Sequence, residues 1–189
     1  MLLYLLLVGQ ALASDVCNIP IYSNDETVPE THKVTYALAL KSSIKAWNAV
    51  GENFQFQYMG TIESDRMDGA VVVSWSYDHG NNPRSIADTY TLDDGNNEIS
   101  RARILMMKDA SWCHMVNHDE CFEMTGVMTH ELGHALGLPH IENQQSIMQP
   151  YASVSSDNAR LPSAIDIQQV NSLFPASGGC KSAGGHLTW

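Results

Sequence analysis

Apolar and polar positions along this chain fall into blocks whose period switches between two and about 3.6 residues, the signatures of strand and helix. Asn18 to Ser23 reads as a short first strand. Pro29 and Glu30 open a helix in which Val34, Ala37, Leu38, Ile44, Trp47 and Val50 recur at helical spacing, and Gly51 closes it. Phe54, Phe56 and Tyr58 alternate with polar residues and predict a strand; Gly69 to Trp75 is a mostly apolar run that predicts a buried one. A Gly-, Asn- and Pro-rich loop from Asp78 to Arg84 leads to strands over Ile86 to Leu92 and Ile99 to Met107, joined by a turn at Asp93-Asp94-Gly95-Asn96-Asn97. Helices are predicted over about Asp119 to Leu136 and over Ser163 to Phe174, the latter with Ile165, Ile167, Val170 and Leu173 as its apolar set. Met106, Met107, Met124 and Met128 read as core filler. Strands with one helix among them, followed by helices, predict an α+β fold, an α/β sandwich around a mixed sheet.

With 189 residues, 44% of them hydrophobic, the chain fits a single globular domain. The formal net charge of -11 excludes a nucleic-acid partner, which needs a basic face. No apolar run is long enough to span a membrane, and a monomer is expected. Leu2 to Val8 is a short apolar run, and Ala11-Leu12-Ala13 has the small-residue pattern of a leader cleavage site, although no Lys or Arg precedes the run. The alternative is a buried N-terminal strand. The expected organisation is a signal peptide over 1–13, one catalytic domain over 14–176 and a Gly- and Ser-rich tail over 177–189, with the product secreted.

The chemistry lies in residues 130–140, His-Glu-Leu-Gly-His-Ala-Leu-Gly-Leu-Pro-His. On a helix, His130 and His134 stand one turn apart on the same face, where two imidazoles can reach one ion at about 2.0–2.1 Å. Glu131 is not a ligand in this scheme; its carboxylate is placed to take a proton from a water on the metal. Gly137 can adopt positive φ and let the chain leave the helix sharply, Pro139 prevents helix from resuming, and His140 returns as a third ligand. Three protein ligands leave one position open, the arrangement of a catalytic zinc site rather than a four-ligand structural one.

These eleven residues resemble the extended zinc motif of the metzincins, His-Glu-x-x-His-x-x-Gly-x-x-His. Ser146-Ile147-Met148-Gln149-Pro150-Tyr151 resembles that group's Met-turn, in which a methionine, here Met148, lies beneath the metal, and the Pro and Tyr after it are similar to the matrixin (matrix metalloproteinase-like) branch. Asp166-Ile167 is similar to part of the matrixin final helix. The resemblance covers residues 19–175 and is sharp between 130 and 151. It implies a mixed, mostly parallel five-stranded sheet with an active-site helix and a C-terminal helix, a zinc endopeptidase activity on extracellular proteins, and a specificity pocket walled by Pro150 and Tyr151. It further implies that the substrate lies along the Ile86 to Leu92 strand. The pocket is expected to be apolar, with Arg101 and Arg103 facing away from the core. Two departures stand out. Animal matrixins carry a second, structural zinc, whereas here Asp78 and His79 stand in the loop with no His between 80 and 113, so no complete second site is expected and His79 is read as a solvated loop residue. No latency segment of the Pro-Arg-Cys-Gly type is seen.

Four cysteines allow three pairings. Cys113 and Cys121 share one loop and favour a local bridge, which leaves Cys17 with Cys180; the resemblance, by placing the N-terminus near the last helix, implies the same pairing. A competing role for Cys17 is as a thiolate on the zinc that keeps the enzyme latent. His114 and His118 are read as surface histidines. Asp93, Asp94, Asn96 and Asn97 offer the oxygens calcium takes but also make an ordinary hairpin turn, so calcium is carried as a candidate second ion. The rival to an enzyme is a catalytically silent, zinc-bearing binding protein.

Overall fold

The structure is a computed structural model that describes residues 16–80, 82–93, 99–113, 121–151 and 160–176. β1 (Cys17–Ser23) is followed by α1 (Lys33–Asn48), β2 (Phe54–Thr61), β3 (Val71–Ser76), β4 (Ala87–Asp93) and β5 (Ile99–Met107). Two short strands, β6 (Trp112–Cys113) and β7 (Phe122–Glu123), precede α2 (Met124–Ala135) and α3 (Ala164–Leu173). The five long strands form one sheet in the order β2-β1-β3-β5-β4. β2, β1, β3 and β5 run parallel, and β4 pairs antiparallel with β5 at the sheet's edge. This is the mostly parallel mixed sheet that the sequence resemblance implies.

β3 lies between β1 and β5, and Val71 through Trp75 are buried on both faces, which is why its sequence is a continuous apolar run. α1 and α2 pack on each other and on the sheet. The seam between them is partly polar. Trp47 Nε1 donates to the Thr129 carbonyl at 2.8 Å, the Ser43 hydroxyl donates to the Thr125 carbonyl at 3.0 Å, and the Thr129 hydroxyl donates to the Ser43 oxygen at 2.9 Å. The four methionines assigned to the core are all fully buried.

Three expectations shift. The apolar stripe assigned to α1 has the wrong phase in its first half: Val34 and Leu38 are 76% and 56% exposed, and the buried face is Tyr36, Leu40, Ser43 and Trp47. The rotation follows from polar residues that find partners inside. Besides the Ser43 bonds to α2, the Tyr36 hydroxyl is 2.7 Å from the Ser23 hydroxyl. On β2, Phe54 and Phe56 are buried but Tyr58 is 51% exposed. α2 begins at Met124 rather than near Asp119, because the Glu123 carboxylate caps it, accepting from the Thr125 and Gly126 amides at 3.1 and 2.7 Å.

Cys113 and Cys121 form the local disulfide. Cys17 is buried among core residues; its expected partner Cys180 lies outside the described residues, as do the leader, the C-terminal tail, His114, His118 and the turn residues Asp94, Asn96 and Asn97. No helix among the described residues is long and apolar enough to cross a membrane.

Candidate active site

α2 delivers His130, Glu131 and His134 from consecutive turns. The helix then stops as its sequence predicts. Gly137 takes φ 93°, with its amide on the His134 carbonyl at 2.9 Å and the Leu138 amide on the Gly133 carbonyl at 3.0 Å. Leu138 plugs into the core, and two residues later His140 returns to the other two imidazoles.

The three rings converge. One nitrogen from each of His130, His134 and His140 lies within 4.8 Å of the others, and no other such cluster of metal-capable groups occurs among the described residues. The Nε2 atoms of His134 and His140 are 3.2 Å apart. Two nitrogens each about 2.05 Å from a tetrahedral zinc would be about 3.3 Å apart, so this spacing fits a shared ion. The tautomers fit as well. His130 Nδ1 donates to the Ile147 carbonyl at 2.7 Å and His134 Nδ1 to the Leu138 carbonyl at 2.8 Å, which puts the proton of the neutral ring on Nδ1 and makes Nε2 the basic nitrogen. Burial drives both imidazoles towards the neutral form, holding His130 at about 4 and His134 at about 3, and it lowers His140 as well. Neutral imidazoles are what a metal needs.

Glu131 is 5% exposed. Burial pushes its carboxyl up to about 8, against the opposing pull of the Thr89 hydroxyl, which donates to Oε2 at 2.6 Å. Beneath the helix lies the turn predicted at Ser146 to Tyr151. Met148 is fully buried, and its carbonyl accepts from the Ile141 amide at 2.8 Å, closing the turn against the segment that carries His140. From α3 the fully buried Asp166 holds this turn. It accepts from the Ser146 hydroxyl at 2.5 Å and the Ile147 amide at 3.0 Å, and also from the Ser163 amide at 2.7 Å.

Pro150 is half-buried and Tyr151 is exposed at the end of this turn. Arg101 and Arg103 are engaged away from the core by Asp68 and Asp65. His79 departs from its reading as a solvated residue: it is partly buried, with Nε2 3.0 Å from Asp109 and Nδ1 2.9 Å from the Ser85 carbonyl. The residues that sequence reasoning passed over are Thr89, Gly133 and the gripping role of Asp166. For Asp166 there was a signal, a carboxylate at the same helical phase as the buried Val170; for Thr89 there was none, since a threonine in a strand is unremarkable.

A mostly parallel sheet thus carries an edge strand beside three converging histidines, with a methionine packed against the helix that bears two of them. The sequence model of the matrixin family matches residues 19–175, and the chain belongs to that family. A 61-residue stretch is 39% identical to human matrix metalloproteinase-26, covering 32% of this chain and 23% of that protein. The matched stretch thus spans under a quarter of that relative's length.

Proposed function

We propose that this protein is a secreted endopeptidase in which His130, His134 and His140 hold one zinc ion and Glu131 is the general base. The observation that carries the proposal is the convergence of three neutral imidazoles, two of them anchored through Nδ1, next to a buried carboxylate that is not a ligand. A zinc ion held there supplies Lewis acidity to the scissile carbonyl and to the attacking water. The chain's own groups do the rest. Burial pushes Glu131 up to about 8, and a cation held by the three imidazoles would pull it back towards the ionised form; the ionised Glu131 takes the water's proton and passes it to the leaving amine. The free edge of β4 receives an extended substrate by strand addition. Pro150 and Tyr151 offer an apolar wall for the side chain on the leaving side, favouring Leu, Met or an aromatic residue. A disulfide between Cys113 and Cys121 fits an oxidising, extracellular setting.

The test is Glu131→Ala in the full chain, assayed on quenched-fluorescence peptides with and without a chelator. The variant should keep about one equivalent of zinc and lose about 10²–10⁴ in rate or more. Parent-like cleavage by the variant removes Glu131 as base. Zinc binding by the parent with no cleavage across a broad peptide library favours the silent binding protein instead.

A further inference from the structure

β4 faces two ways at Thr89. The Met107 amide donates to the Ile86 carbonyl at 3.0 Å, and Ile86 and Met107 stand one step beyond the Ala87–Met106 pair of the antiparallel ladder. In such a ladder, opposed pairs alternate between exchanging hydrogen bonds and not exchanging them. Counting from Ile86–Met107, the Thr89–Ile104 pair falls on the non-bonded set, so the Thr89 amide and carbonyl point to the free edge of the sheet. Its side chain stands roughly perpendicular to the sheet, under α2, where it is 3% exposed. There the hydroxyl lies 2.6 Å from Glu131 Oε2 and 3.1 Å from the Glu131 carbonyl. One residue therefore joins the strand that would receive substrate to the carboxylate that would move the proton.

We infer that Thr89 is a positioning residue for Glu131: its hydroxyl fixes Oε2 and thereby sets the orientation in which the carboxylate meets the attacking water. This rests on the reading of Glu131 as the base. A carboxylate buried without a donor would pay the desolvation of a charged group and would be free to rotate about its last torsion; one short hydroxyl bond from a rigid strand limits both. Oε1 is left as the oxygen not committed to Thr89. Because Thr89 sits in the ladder, pairing of a substrate along β4 stiffens the same residue that holds the base.

Three variants separate this role from packing: Thr89→Val, which keeps the shape and removes the hydroxyl, Thr89→Ala, and Thr89→Ser, which restores one oxygen. In the zinc-loaded protein, Val and Ala should lower kcat by about 10–100-fold with KM within about twofold and zinc content unchanged, and Ser should recover most of the rate. A second readout needs no activity. In the zinc-free protein, Thr89→Val should lower Tm by a few degrees when Glu131 is present and much less in a Glu131→Ala background. Parent-like kcat in Val or Ala, or a Ser variant as slow as Ala, or a Tm loss equal in both backgrounds overturns the inference. If Glu131→Ala itself cleaves like the parent, the reading of the base fails and the inference with it; if it is inactive while Thr89→Val is fully active, only the inference fails.

Discussion

Asp166 and His130 grip the two ends of one residue: Asp166 accepts from the Ile147 amide at 3.0 Å, and His130 Nδ1 donates to the Ile147 carbonyl at 2.7 Å. The last helix is thereby connected to the His130 ring, a proposed zinc ligand, through a single peptide segment. Ser146 adds a second link, since its hydroxyl donates to Asp166 and its oxygen accepts from the Met148 amide at 2.9 Å. The arrangement explains why a carboxylate is tolerated with no exposed surface: its oxygens meet the amides of Ile147 and Ser163 and two hydroxyls.

Asp166→Ala should therefore act at a distance. It strands the Ile147 amide and the Ser146 hydroxyl in the core, removes the partner of the Ser163 cap of α3, and loosens the carbonyl that orients His130. Unfolding free energy should fall by about 2–4 kcal/mol, and zinc affinity by about 10–100-fold. Chemical denaturation and competition with a chromogenic chelator measure the two effects. An unaltered zinc affinity would break the link drawn from α3 to His130.

Gly133 has a reason distinct from helix ending. A methyl group there would overlap the Met148 sulfur and would stand 3.0 Å from the Trp47 ring. Both neighbours are fully buried, so neither has room to retreat. Gly133→Ala, which gains helix propensity on an exposed helix, should here lower Tm and expel Met148 from its place, for a cost of about 1–3 kcal/mol. Pairing it with Met148→Ala should return part of the loss; strictly additive losses would show that the two residues do not share the space.

Much of this was legible in the sequence, and the reasons are specific. His130, His134, Gly137 and His140 announced themselves because helical geometry and metal geometry constrain the same spacing. β3 was legible because a strand buried on both faces writes itself as Val71-Val72-Val73. What stayed hidden were polar residues used inside: Ser43 and Tyr36 turned the buried face of α1, Asp166 replaced Ile167 as a buried member of α3, and Thr89 looked like any strand threonine. Hydrophobic periodicity assumes that polar means outside. Where a hydroxyl or carboxylate finds a partner across the fold, the assumption fails, and that partner is set by tertiary contacts no local window contains.

The metal should be removable and stabilising. The three imidazoles proposed as ligands come from α2 and the turn after it, and two of their nitrogens stand 3.2 Å apart, a spacing that fits one shared ion. Elemental analysis of the purified protein should give about one zinc per chain, and dialysis against a chelator should lower Tm, the unfolding free energy falling by RT ln(1 + [L]/Kd) at the free zinc level before dialysis. Two firmly held equivalents would overturn the single-site reading.

The His79–Asp109 pair clamps the loop after β3 to the turn after β5, and the clamp depends on pH. The hydrogen bond to Asp109 is the main cause that raises His79 above its ordinary 6.5, and the bond to His79 is the main cause that lowers Asp109 below 3.8. Asp88 and the Ser85 carbonyl also face the imidazole and raise it further. For His79 the contribution is fully present below the unfolded-state value and is lost as pH rises through the higher folded value; for Asp109 it is present above the unfolded value and lost as pH falls through the lower folded one. The clamp is thus charged on both sides from below pH 3.8 to above pH 6.5 and weakens as pH rises through the raised His79 value. NMR titration of the His79 ring should show a midpoint above 6.5 in the parent that drops towards 6.5 in Asp109→Asn. High salt should shrink the difference, since the Asp109 side chain is 53% exposed. A midpoint that does not move on Asp109→Asn would mean that the raised value comes from Ser85 and Asp88, and that the loop is not clamped by the ion pair.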